Sequence, residues 1–194
     1  MKKTVAVICV LSMIMCAFSG CSGASGARDV IREYFTALNE LDFVSAGRCL
    51  GDPDTYLAII RDLDPAGGSS LYDRVQTTYF VTFVYSGLKW KTLSVKATDE
   101  GFTARVRIES YSTEEILRRI EEAQQELMSR PDYIKTDDEK KYLMLVNNIP
   151  EIYMSMRNEL ERKTSTVEVE LVRRGDDLFI LPSAELFDAI GGAN

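Results

Sequence analysis

The run from Thr4 to Phe18 carries no charge and is mostly apolar, and it follows the positive pair Lys2-Lys3. Fifteen such residues fall short of the roughly 20 that a membrane-spanning helix needs. With the small residues Ser19 and Gly20 behind it, the pattern is that of a secretory leader that is removed. Residues 1–20 are therefore read as a signal peptide, and the fold must be built from the residues after Gly20.

The junction Phe18-Ser19-Gly20-Cys21 resembles the lipobox of bacterial lipoproteins, with Phe18 where leucine is usual. The resemblance implies that Cys21 becomes the lipidated N-terminus. Two acyl chains on one residue give stable anchoring where one gives only marginal binding. It further implies a place at the outer face of the cell membrane, with the membrane as a partner through the Cys21 lipid. An ordinary cleaved leader and an uncleaved anchor are the alternatives. Cys9 and Cys16 leave with the leader and Cys21 takes lipid, so Cys49 stands alone and no internal disulfide forms. Its apolar setting suits a buried, inert thiol.

Lys2 and Lys3 leave too, so the remainder carries 30 acidic against 21 basic side chains, a net charge of −9. Such a balance argues against nucleic acid and against a basic patch as the anchor. There is no histidine, which removes histidine triads, histidine general bases and histidine zinc sites.

Ser22 to Ala27 is small and polar enough for a short flexible tether, so residues 21–27 are assigned as lipidated cysteine plus linker and 28–194 as a single domain. Val30, Ile31, Tyr34, Phe35 and Leu38 recur at helical spacing, predicting a helix over Ala27 to Asn39. Asp42 caps a second short helix. Asp52-Pro53 opens a third, with Tyr56, Ile59, Ile60 and Leu63 inward and Pro65 to Ser70 as the loop beyond it. Period-two runs over Val75 to Tyr85, Leu88 to Thr98 and Phe102 to Glu109 predict a β-meander. Ser112 with Glu115 reads as a capping box, and Arg130-Pro131 as that helix's stop. Thr136 with Glu139 opens a further helical stretch that Pro150 should break or kink. Five pairs have helical salt-bridge spacing: Glu114/Arg118, Glu115/Arg119, Glu126/Arg130, Asp137/Lys141 and Glu159/Lys163. Strands return over Thr166 to Arg173 and Leu178 to Leu181 around Gly175-Asp176, and Ala184 to Ile190 closes as a helix. The order describes an α+β domain, N-terminal helices on a curved antiparallel sheet, with a helical insertion at about 112–163.

The stretch Val30 to Ala46, a helix, an acidic turn and a second helix, is similar to the opening of the nuclear-transport-factor-2-like cone folds, also called cystatin-like in some lipoproteins of Gram-positive bacteria. The tail Gly175 to Gly191 resembles their closing strand and short helix. The insertion is longer than the loop expected there. The resemblance implies a cone with a cavity, and fold alone does not choose among the isomerases, dehydratases and binding domains that share it.

Tyr34, Tyr56, Tyr79 and Trp90, with Tyr85, are the candidate lining of that cavity. Asp52-x-Asp54 and Asp62-x-Asp64 lack a complete calcium loop and are explained by capping and turn formation, so no metal is assigned. No cofactor and no catalytic residue is assigned. Arg174-Gly175-Asp176 is read as ordinary hairpin chemistry. Three functions are left standing. The first is a non-enzymatic, lipid-anchored domain binding a small apolar ligand or an envelope protein. The second is a histidine-free lyase or isomerase using an Asp/Tyr pair. The third is a scaffold assembling through the helical insertion. A convergent carboxylate and tyrosine would favour the enzyme, an open apolar cavity the ligand binder, and a filled core with exposed apolar side chains along Ile116 to Leu160 the scaffold.

Overall fold

A computed structural model describes residues 23–63 and 70–193. The leader, the Cys21 junction and the loop at 64–69 lie outside them. Helix α1 runs through residues 23–39, so the segment expected as a flexible linker is helical from 23 onward and Ala27 is already fully buried. Its spacing of three and four puts Ile31, Tyr34, Phe35 and Leu38 on one face, all shut off from solvent. Each contributes about 1.5–3 kcal/mol by burial. The chain leaves α1 through Leu41, which takes a left-handed φ of 61° while its side chain packs against the core.

Asp42 caps α2 (Phe43–Cys49) by accepting from the Ser45 amide at 3.0 Å. Asp52 caps a 3-10 turn, Pro53–Tyr56, that leads into α3 (Leu57–Leu63). The first strand expected from alternation does not form. Val75 to Tyr85 lies inside a helix, α4 (Leu71–Ser86), which starts at a capping box in which Ser70 and Asp73 each satisfy the other's backbone amide. Its Val81, Phe83 and Val84 are buried against neighbouring elements, and this packing overrides the strand preference of the sequence.

The sheet is two hairpins. Strands β1 (Lys89–Ala97) and β2 (Gly101–Tyr111) form the first, β3 (Arg162–Arg174) and β4 (Asp177–Ile180) the second. All neighbours are antiparallel in the order β1-β2-β3-β4, and the sheet is curved. In β2 and β3 the pairs Ala104↔Val169 and Val106↔Val167 face the core, and on β1 Trp90 opposite Ile108 joins them. A bulge between Thr92 and Ser94 shifts the β1 register. Gly175, at φ 67°, turns β3 into β4. Helix α8 (Ala184–Ile190) lays Leu186, Ala189 and Ile190 on the same inner face, where the Ser110 hydroxyl donates to the Ala189 carbonyl at 2.7 Å.

Between the hairpins stand α5 (Thr113–Ser129), the short α6 (Pro131–Ile134) and α7 (Asp138–Glu159). Ser112 caps α5 by accepting from the Glu115 amide, but the Glu115 carboxylate turns to Arg118 and Arg119 instead of closing the expected box. Asp137, not Thr136, caps α7. Pro150 does not break α7, whose 22 residues run on through it. Packing on both sides outweighs the one hydrogen bond that proline removes. Of the five expected ion pairs Glu115/Arg119 forms, while Arg130 turns to Asp132 and Lys141 to Asp138. Helices α4, α5 and α7 enclose a second core around Phe83, Tyr111, Ile116, Ile149 and Tyr153.

Candidate functional site

Three of the four aromatic candidates meet in the first core. The Tyr34 hydroxyl from α1 lies 2.7 Å from that of Tyr56, carried by the turn after Asp52. The Phe43 ring fits between Tyr56 (centroids 5.5 Å apart) and Tyr85 (5.2 Å), and Tyr85 meets Tyr56 edge-on at 6.4 Å. Trp90, half-buried on β1, stacks on Phe35 at 5.4 Å. Tyr79 is elsewhere. It is partly exposed on α4 and stacks on Tyr153 of α7 at 5.7 Å.

Burial raises the pKa of Tyr34, Tyr56 and Tyr85 well clear of neutrality, and in Tyr34 the neighbouring Tyr56 adds to the effect. A group held this firmly protonated is a poor base, and among the described residues no carboxylate hydrogen-bonds to either member of the pair. Cys49 is similar in kind: buried, free, and pushed up to about 11 by desolvation, with Glu33 adding to it. A thiol in that state is not a nucleophile. The Asp52 carboxylate accepts from the Asp54 amide and the Thr55 hydroxyl. Among the described residues no cluster of three cysteine or acidic groups could hold a metal.

Open concavities lie on the helical module and also on the sheet, where one of about 330 Å³ sits between the β1–β2 turn and β3. Another, of about 500 Å³, sits where the start of α5 meets the end of α7 and the start of β3. Its charges largely answer one another. Arg119 reaches Glu115 at 3.2 Å and Glu159 at 3.5 Å, tying α5 to α7, while Arg118 bonds Glu115 and Glu122. The hydrogen bonds from Arg118 pull the Glu115 carboxyl down to about 2.

The second feature is apolar. Leu143 and Met154 are 45% and 63% exposed on α7, and three helical turns separate them, so they share a face with Asn147 and half-buried Pro150. Met154 borders a recess of about 120 Å³ with Tyr79, Thr82 and Phe83 of α4. Leu117, Met128 and Ile134 add exposed apolar surface on α5 and α6. Sequence alone did not bring Tyr79 to α7, because α4 reads as a strand. The Ser70-x-x-Asp73 capping signature was the signal for the helix.

No family model matches the sequence, and no curated protein matches it. Among solved structures, that of a proposed lipoprotein, YcdA from Bacillus subtilis subsp. subtilis str. 168, is similar over 86% of this chain and 55% of its own, with 17% identity and a TM-score of 0.45. This chain thus spans about half the length of that protein. Among the described residues no helix is long and apolar enough to cross a membrane.

Proposed function

We propose that this chain is a lipid-anchored, non-enzymatic binding protein at the outer face of the cytoplasmic membrane, which engages another envelope protein through the helical module of α4, α5 and α7. The observation that carries the binding reading is the exposed pair Leu143 and Met154, with half-buried Pro150 between them and Tyr79 beside them, in a molecule whose first-core rings pack against one another. Exposed apolar surface at a helix groove is the usual mark of a protein partner. The anchor reading is supported by the leader and the lipobox-like Phe18 to Cys21, which lie outside the described residues. The domain itself is read as a distant relative of the nuclear-transport-factor-2-like cones, with the helices α1 to α4 leading toward a curved sheet.

An enzyme of the Asp/Tyr type finds less support, since the buried tyrosines bond to each other. The test is photocrosslinking in native membranes from Leu143 and from Met154, with Gln125 on α5 as the control. A discrete protein adduct from both, absent from the control, is the expected result. No adduct at either position, together with a small molecule co-purifying in stoichiometric amount, would replace the partner with a ligand. For the anchor, Cys21→Ala should release or misprocess the protein, and a cleaved Cys21→Ala variant that stays on the membrane contradicts lipidation.

A further inference from the structure

The outer face of the sheet is cationic on one side. Alternation and register put Lys89, Lys91 and Lys96 of β1 and Arg105 and Arg107 of β2 on that face, all five exposed. Glu109 lies across from Lys89, Glu168 lies across from Arg105 on β3, and Glu170 lies across from Thr103. Among the described residues none of the five cations forms an ion pair. Lys91 stands directly opposite Arg107, a like-charge cross-strand pair that costs the sheet stability.

Lysines on an edge strand discourage strand addition, and β1 is an edge. That accounts for three of the five. It leaves Arg105 and Arg107, which sit on an interior strand where no edge needs guarding. Glu168 stands across from Arg105, but Arg107 has Lys91 on one side and Thr166 on the other, and a cation left unanswered in a chain of net charge −7 is better explained by an anionic counter-surface.

The chain's own geometry says which one. Helix α1 already runs at Gly23, two residues after Cys21, and a Cβ at Gly23 would come within 2.6 Å of the Phe102 ring. Its start therefore lies at the end of the sheet where Lys96 pairs with Thr103. Two residues reach at most about 7 Å. From Lys96 the stripe extends about 22 Å along β1 to Lys89 at strand rise.

We infer that this face is a second membrane contact, in which Lys89, Lys91, Lys96, Arg105 and Arg107 lie against anionic phospholipid headgroups and fix the orientation of the anchored domain. The inference rests on the lipid-anchored reading. Clustered Lys and Arg beside a membrane attachment point are drawn to anionic lipid within a Debye length.

The test uses the mature protein purified from its own membranes and reconstituted into phosphatidylcholine vesicles, with or without phosphatidylglycerol. Amine acylation is then read lysine by lysine by mass spectrometry. Lys89, Lys91 and Lys96 should react about threefold or more slowly in phosphatidylglycerol vesicles, with Lys135 unchanged and the difference lost at high salt. Arg107→Glu, which places an opposite charge across from Lys91 and so spares the fold, should remove the protection. Equal labelling in both compositions overturns the inference. So does protection that appears without vesicles and grows with protein concentration, which would mean pairing of two copies. If the same spectra show Cys21 unacylated, the anchor reading fails, and co-sedimentation then reads the face. Binding to phosphatidylglycerol vesicles that Arg107→Glu weakens upholds it, and equal sedimentation with both compositions overturns it.

Discussion

Tyr34 and Tyr56 spend their hydroxyls on one another inside an apolar core, a pairing whose worth shows only when half of it is removed. Either Tyr→Phe change leaves one buried hydroxyl without a partner, a loss of about 1–3 kcal/mol, whereas the double change deletes both groups and costs less than the two singles added together. Thermal unfolding of the four proteins in a double-mutant cycle checks this, and strict additivity would mean that the hydroxyls do not interact. The pair also sets an alkaline limit. In the unfolded chain both groups titrate near 10, while in the folded chain burial holds their protons to higher pH. The unfolded state therefore binds fewer protons above about pH 10, so this contribution is complete below that value and is lost as pH rises beyond it. Urea unfolding between neutral pH and pH 11 should show a decline that is shallower in the double Phe variant.

At the scale of elements, α4 marks the boundary of what sequence could say. From Val75 to Tyr85 nearly every residue is β-branched or aromatic, and no helical period stands out, because α4 is apolar on several sides: toward α3, toward α7 and toward the first core. Its helicity comes from tertiary burial and from the Ser70/Asp73 box. Ser70→Ala should therefore lower stability by about 1 kcal/mol, measured by denaturant midpoint, with the m-value unchanged. Helices with one wet face and one dry face were legible, as α1 and α8 show, and so was β2, where Arg105 and Arg107 alternate with Val106 and Ile108. The capping of α7 was legible to within one residue. What no spacing reveals is which element stands beside which, so the stacking of Tyr79 on Tyr153 and the partnering of Tyr34 with Tyr56 emerge only from the fold.

Two cores share the molecule, and α4 belongs to both. Phe80 and Tyr85 pack against the sheet-backed core on one side and against the helical core on the other, whereas Ile31, Val106 and Val169 serve only the first and Ile116, Ile149 and Met156 only the second. If α4 is what couples them, weakening its bridge should separate their unfolding without destroying either. The chain's single tryptophan, Trp90, reports the first core alone through its contact with Phe35, while helix content is drawn mostly from α4, α5 and α7. In the native protein, tryptophan fluorescence and far-ultraviolet circular dichroism should follow one denaturant transition, the signature of a single cooperative unit. Phe80→Ala removes about 3–5 kcal/mol if the site cannot collapse, and less here because Phe80 is only partly buried. The expected result is that the two signals part, with helix lost at lower denaturant than the tryptophan shift. Coincident transitions in Phe80→Ala would show instead that the β2–β3 ladder, which runs from the first core to Tyr111 in the second, carries the coupling by itself.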